Sequence, residues 1–179
     1  MEVVKNEYDE ATEHGHVLVK CPPAKRIICQ GEYDDWDNVA NTKYFISIPQ
    51  TIFRFNYKKV KFKRRSHFCL NSMSIAFLSN DKLYKAPFYN VEAGGGVCMG
   101  ISETEYIKEF DKFVKYCVES FWKSSFTDDI DDNQFEYNSK KMTLGDCEKW
   151  QEKTKSDPEW IPDDEYLLNL DATFQETFK

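Results

Sequence analysis

One stretch of the chain holds the residues able to do chemistry. It reads Leu83-Tyr84-Lys85-Ala86-Pro87-Phe88-Tyr89-Asn90-Val91-Glu92-Ala93-Gly94-Gly95-Gly96-Val97-Cys98-Met99-Gly100. Three of the chain's seven glycines stand in a row just before Cys98. Glycine loses the most backbone freedom on folding, so a clustered run marks positive φ or close backbone approach. The run delivers a thiol at the end of a tight turn. Asn90 lies eight positions upstream, on the far side of that turn. A nucleophile beside an amide donor suits acyl transfer: the sulfur attacks and the amide stabilises an oxyanion. Taken one at a time, the same residues have plainer readings. Cys98 fits a small hydrophobe at a strand end, Asn90 the start of an Asx turn, and the glycines a hairpin tip. The spacing of all of them together favours the chemical reading.

These residues carry a family resemblance. The pattern Asn-(apolar)-x-x-x-Gly-x-(apolar)-Cys, filled by Asn90, Val91, Gly95, Val97 and Cys98, resembles the active-site segment of ubiquitin-conjugating enzymes. The longer string, Leu-Tyr-x-Ala-Pro-Phe-x-Asn-Val followed by Gly-x-Val-Cys-x-Gly, is most similar to bacterial relatives, the PRTRC system protein B family of plasmids and phages. Phe121 to Thr127 resembles that group's helix end. The resemblance covers roughly residues 43–128 and is specific between 83 and 100.

The resemblance implies a fold and a reaction. The fold is α+β, a four-stranded antiparallel meander packed against helices. In the reaction, Cys98 takes the C-terminal acyl group of a ubiquitin-like protein from its activating enzyme and passes it to an amine of a target protein. Asn90 would bind the oxyanion, and Asp128 or Asp129 would orient the incoming amine. No cofactor and no metal are implied. Phe88 and Tyr89 stand where most conjugating enzymes have His-Pro, which bears on the geometry of the loop. A second reading is a non-catalytic adaptor of the same fold that binds a ubiquitin-like protein without transferring it.

Composition bounds the rest. A chain of 179 residues with 41% apolar and 16% aromatic residues is one domain with a sizeable core. Six cysteines at 21, 29, 69, 98, 117 and 147, with no Cys-x-x-Cys pair, indicate free thiols rather than disulfides or zinc. No apolar run approaches a membrane span and the N-terminus is too acidic for a signal peptide, so a cytoplasmic location is expected. His14, His16 and His67 lie outside the Cys98 segment, which leaves a cysteine-protease reading without a base. His14-x-His16 with Cys21 lacks a fourth ligand at a recognised spacing. The net charge of −7 is uneven: residues 128–179 hold 15 acids against 6 bases, and residues 1–127 hold 16 against 18.

The elements that must position the site follow from periodicity. Residues 1–16 read as a polar arm, a frayed helix or disorder. Residues 17–132 read as the conjugating-enzyme-like domain, and residues 133–179 as an acidic extension that packs on the domain or a partner. Val17–Lys20 and Arg26–Gln30 read as short strands, and Glu32–Asn41 as a loop or helical turn. Period-two runs over Tyr44–Ile48, Phe53–Tyr57, Val60–Phe62, Phe68–Leu70 and Met73–Phe77 read as the meander, closed by Ser79-Asn80-Asp81. Ser102-Glu103-Thr104-Glu105 has capping-box form and opens a helix with its apolar stripe from Ile107 to Phe121, where Cys117 should be buried and inert. Asp128, Asp129, Asp131 and Asp132 lack the glycine and terminal glutamate of a calcium loop. Thr143–Lys153 and Asp163–Phe174 read as short helices.

Lys58 to Arg65 places six basic residues in eight positions around Val60 and Phe62. A nucleic-acid surface there needs exposed aromatics and no competing acid nearby. The reading favoured by an acidic chain is a solvated strand face whose lysines blunt an edge, with no nucleic-acid partner. A further reading folds the acidic C-terminal part against this strip.

Overall fold

The computed structural model describes residues 1–35, 38–62, 64–98, 105–127 and 146–178, with the backbone alone for 31–35 and 38–41. Seven strands come first: β1 (Glu2–Asp9), β2 (His14–Cys21), β3 (Ala24–Asp35), β4 (Asn38–Ile48), β5 (Thr51–Phe62), β6 (Arg65–Ser79) and β7 (Lys82–Tyr84). Helix α1 (Phe110–Lys123), strand β8 (Ser125–Thr127), α2 (Cys147–Ser156), α3 (Ala172–Gln175) and a 3-10 turn (Glu176–Phe178) follow. The fold is α+β and mostly antiparallel sheet.

The expected single four-stranded sheet is instead two sheets. One has five strands in the order β1-β2-β5-β6-β7, and the other has three in the order β4-β3-β8. Pro22 and Pro23 cannot donate to a ladder, and the chain leaves the first sheet there to build the β3–β4 hairpin of the second. β8 joins β3 in parallel, with Gln30 opposite Phe126. The two apparent strands at 53–57 and 60–62 are one strand. A register shift between Asn56 and Tyr57 against β6 changes the alternation without ending the ladder.

Three further expectations change. Residues 1–16 are neither helix nor disordered arm, because Glu2–Asp9 pairs along β2. Residues 32–35 and 38–41 continue β3 and β4 as strands. The helix after Cys98 starts at Phe110, not after Ser102, because Ile107 is an antiparallel bridge partner of Phe68. Its amide donates to the Phe68 carbonyl at 3.1 Å and its carbonyl accepts from Phe68 at 2.7 Å. Residues 102–104 of the capping box lie outside the described residues.

The main core lies between the sheets and α1. Phe53, Phe55, Tyr57, Ile75 and Phe77 of the first sheet, and Ile28, Ile46 and Ile48 of the second, meet Phe113, Val114, Cys117 and Phe121 of α1. The apolar stripe of α1 thus faces inward, while Lys112 and Lys115 stay exposed. Burial pushes the Cys117 thiol up, out of thiolate range.

Helix α2 closes the outer edge of β4. The Gln151 Oε1 accepts from the Phe45 amide at 2.8 Å, the Thr154 Oγ1 accepts from the Ser47 amide at 3.0 Å, and the Trp150 Nε1 donates to the Ser47 carbonyl at 2.9 Å. Asp146 caps this helix, accepting from the amides of Glu148 and Lys149. Beyond it the expected 163–174 helix shortens to α3. Asn169 bridges Tyr84 at the edge of β7, and helical geometry begins only after Asp171. Phe178 and Leu170 then pack with Ile52 and Ala76 on the other face of the five-stranded sheet. The described part of the acidic C-terminal segment therefore lies on β4, β7 and this second face, away from Lys58–Arg65.

Candidate functional site

The approach to Asn90 is fixed by a turn and an aromatic anchor. β6 and β7 are joined by Asn80 and Asp81, with φ of 47° and 60°. Both residue types tolerate the left-handed region that a two-residue hairpin loop demands. After β7, the ring of Phe88 is 2% exposed. It stacks on Phe126 with centroids 4.7 Å apart and on Trp150 at 6.1 Å, and meets Phe77, Phe121 and Trp122 edge-on. Phe88 stands where the resemblance expects histidine, and it holds the loop by burial instead of by a polar contact. The Val91 amide donates to the Phe88 carbonyl at 3.0 Å, so the chain turns at once into Asn90.

Asn90 and Cys98 face each other across a hairpin. The Cys98 amide donates to the Asn90 carbonyl at 2.9 Å, and the Glu92 amide to the Gly96 carbonyl at 2.8 Å. Val91 and Val97 form the bridge between them. Directly opposed residues of an antiparallel pair present side chains to one face. The register therefore places the Asn90 carboxamide and the Cys98 thiol on the same face. The loop is three residues, Ala93 to Gly95, closed by the Gly95 amide on the Glu92 carbonyl at 2.8 Å. Gly95 has φ of 86°, the left-handed position that such loops reserve for glycine.

The hairpin is seated on the free edge of β6. The Ile75 amide donates to the Gly95 carbonyl at 2.8 Å and the Val97 amide donates to the Met73 carbonyl at 3.0 Å, with Ser74 and Gly96 as bridge partners. Close approach explains the other glycines. A Cβ on Gly94 would stand 2.7 Å from the Phe174 ring, and one on Gly96 2.8 Å from the Glu92 Oε2. The C-terminal segment thus covers the turn, and the Glu92 carboxylate lies over Gly96. Arg54 secures that segment by donating to the Thr177 carbonyl at 2.7 Å.

Exposure and hydrogen bonding single out the pair. All six cysteines are free thiols, and Cys98 alone is exposed. Burial pushes the thiols of Cys21 and Cys69 up, and that of Cys147 up to about 12, so these are poor nucleophiles. Asn90 is 7% exposed, and its Oδ1 has no hydrogen-bond partner. A buried carboxamide with an unused terminal atom is uncommon in a folded protein and points to a missing partner. The unbonded atom is an acceptor, so an oxyanion would be met by the Nδ2 group of the same carboxamide.

Asp128 and Asp129 lie outside the described residues. His14 and His16 sit on β2, two strands away from β6, and the ring of His67 is bonded to the Arg65 carbonyl. Among the described residues no cluster of histidine, cysteine and carboxylate could hold a metal ion, and no helix is long and apolar enough to cross a membrane. Phe174 and Phe178 support the site and escaped the sequence reading, for which the Asp171-x-Thr173 cap was the local signal.

The site is thus a hairpin, seated on a sheet edge, that sets an exposed cysteine opposite an asparagine. The family model of prokaryotic E2 family D matches residues 10–162. The chain belongs to prokaryotic E2 family D. The matched span takes in β2 to β8, the Asn90–Cys98 hairpin, α1 and α2, so the family assignment does not rest on the cysteine segment alone. No curated protein and no solved structure matches the chain.

Proposed function

We propose that this prokaryotic E2 relative carries a ubiquitin-like protein as a thioester on Cys98 and transfers it to an amine. The observation that carries the proposal is the hairpin register, which sets an exposed thiol against a buried, under-bonded carboxamide. In the first step the Cys98 sulfur, as thiolate, attacks the thioester carbonyl that joins the modifier to its activating enzyme. A new C–S bond forms, the old one breaks, and the activating enzyme's thiolate leaves. In the second step an amine attacks the Cys98 thioester. A C–N bond forms, the C–S bond breaks, the Cys98 thiolate leaves and the amine proton passes to water.

Both steps pass through a tetrahedral oxyanion. The Asn90 amide group donates to it, and loss of one such donor typically costs about 3 kcal/mol of barrier, or about 100-fold in rate. We assign orientation of the incoming amine to Asp128 or Asp129. The partners are a ubiquitin-like protein, its activating enzyme and a target protein in the cytoplasm. The string from Leu83 to Gly100 supports a place beside the PRTRC system protein B proteins of plasmids and phages.

The test is a non-reducing gel of the protein with ATP, a ubiquitin-like protein and its activating enzyme. A reducible adduct is expected, absent in Cys98→Ala and replaced by a thiol-resistant ester in Cys98→Ser. Asn90→Ala should slow both acceptance of the modifier and its transfer to amines, each by about 100-fold, while still forming the adduct at long times. If the activating enzyme is charged, the modifier binds and no adduct forms, the protein is an adaptor and the catalytic proposal is wrong.

A further inference from the structure

The β5–β6 hairpin runs past the core. Tyr57 is 1% exposed, and five residues later Phe62 is 41% exposed. Opposite Val60 on β6, His67 is 4% exposed, so the part that overhangs is the tip beyond Val60 and His67, about 7 Å along the strand. The tip carries Lys61, Arg64 and Arg65 among its described residues, with half-buried Lys58 and Lys59 at its base and Phe62 paired to Arg65 at the end of the ladder. Among the described residues no carboxylate lies within ion-pair distance of Lys58, Lys61, Arg64 or Arg65. The Lys59 Nζ sits over the Tyr8 ring at 3.7 Å. Described acids come near at the base, where the Lys59 amide donates to the Glu13 carbonyl and Asp9 and Glu10 lie close to Tyr8, and beside Tyr106, where Glu105 is exposed.

The same overhang holds an aromatic ledge. Tyr106 precedes the bridge residue Ile107 and is 48% exposed. Its ring stacks on Phe62 with centroids 4.9 Å apart and 9° between planes, and both rings meet His67 edge-on. Alternation along the ladder puts Lys58, Phe62, Arg65 and His67 on one face of the hairpin. Neither Phe62 nor Tyr106 serves the core. Two large parallel rings, 41% and 48% exposed, standing among cations that have no ion-pair partner among the described residues, suit a strand of unpaired bases: phosphates meet the cations and bases stack on the ledge. An acidic protein surface would use the charges but has no need of parallel, outward ring faces.

We propose that the β5–β6 overhang binds single-stranded nucleic acid, with Lys58 and Arg65 on the face of the ledge, Arg64 in the turn and Lys61 reaching round from the opposite face to phosphates, and Phe62 and Tyr106 stacking on bases. The proposal stands independently of Cys98. The β6 edge that seats the Cys98 hairpin also seats Ile107, so a bound strand would lie along the same edge as the candidate thiol.

The test is fluorescence anisotropy of the full chain with a labelled oligothymidylate of about 20 nucleotides, across a salt series. Three to four phosphate contacts predict about a 20- to 50-fold loss of affinity between 50 and 200 mM salt. The triple variant Lys61→Glu, Arg64→Glu, Arg65→Glu should abolish binding without shifting thermal unfolding. Phe62→Ala with Tyr106→Ala should weaken binding at least about 10-fold and erase any preference for the oligothymidylate over a duplex of equal length. Absence of binding at 50 mM salt overturns the proposal, as does wild-type binding by the charge-reversed variant. Tighter capture of polyglutamate than of oligothymidylate overturns it too, and makes the overhang a dock for an acidic protein. Wild-type behaviour of the double aromatic variant removes the stacking that distinguishes nucleic acid from any other polyanion.

Discussion

Gly95→Ala isolates the geometry on which the site depends. Gly95 has φ of 86°, where an L-residue pays about 1–2 kcal/mol relative to its preferred regions. The added Cβ would stand 2.6 Å from the Ile75 carbonyl oxygen and 3.3 Å from the Phe178 ring. The Ile75 oxygen is backbone of a central strand and cannot swing away. The hairpin must therefore lift from β6, and the bond from the Ile75 amide to the Gly95 carbonyl, now 2.8 Å, is lost. A net hydrogen bond contributes about 1 kcal/mol. The two effects together come to about 2–3 kcal/mol, or a fall of about 4–12 °C in Tm for a domain of this size. Gly94→Ala is the control. The nearest atoms to its Cβ belong to the Phe174 ring, which is 41% exposed and so has room to shift toward solvent, and no positive φ is involved, so its cost should stay under about 1 kcal/mol. Thermal unfolding by circular dichroism gives the magnitude, and hydrogen exchange at the Ile75 amide locates it. Should Gly95→Ala melt together with Gly94→Ala, and the Ile75 amide stay protected, the hairpin is not held by this contact and the reasoning fails.

Two further outcomes follow from the packing. Phe88→Ala removes the ring at the centre of five aromatic contacts and should destabilise by about 3–5 kcal/mol in urea unfolding, with Phe88→Leu losing much less. A loss below about 1 kcal/mol would mean that the loop is anchored elsewhere. Thr154→Val keeps the volume but leaves the Ser47 amide without its acceptor in a site where Thr154 is 1% exposed; about 1–3 kcal/mol should disappear, and Thr154→Ser should restore it. Equal stability of the valine and serine variants would show that the edge bond contributes nothing.

What the sequence disclosed follows from burial. β5 and β6 were legible because one face is buried along most of their length, so apolar residues alternate. β1 was not, because it is an edge strand with mostly exposed residues, and polar composition there reads as disorder. Ile107 misled for a different reason. It stands three residues before Phe110, helical spacing, yet its partner is Phe68, 39 positions away, and no local pattern announces such a contact. The split into two sheets was hidden in the same way, since alternation reports which face is buried but not which strands are neighbours. The Asn90–Cys98 pairing was legible because glycines between two apolar residues define a hairpin locally. The aromatic neighbours of Phe88, and the C-terminal rings over Gly94 and Gly95, were not, because they arrive from distant parts of the chain.

The cover on β4 has a consequence for biosynthesis. The groups that satisfy the Phe45 and Ser47 amides are Gln151 and Thr154, 106 and 107 positions later in the chain. At about 5–20 residues per second, a ribosome delivers them roughly 5–20 s after the strand they protect. During that interval the nascent chain presents an edge with open backbone donors, and Phe45 and Ile46 beside them, to any neighbouring strand. Newly made protein is therefore most prone to mispairing just before α2 emerges, and slow translation of the segment between β8 and α2 lengthens that exposure.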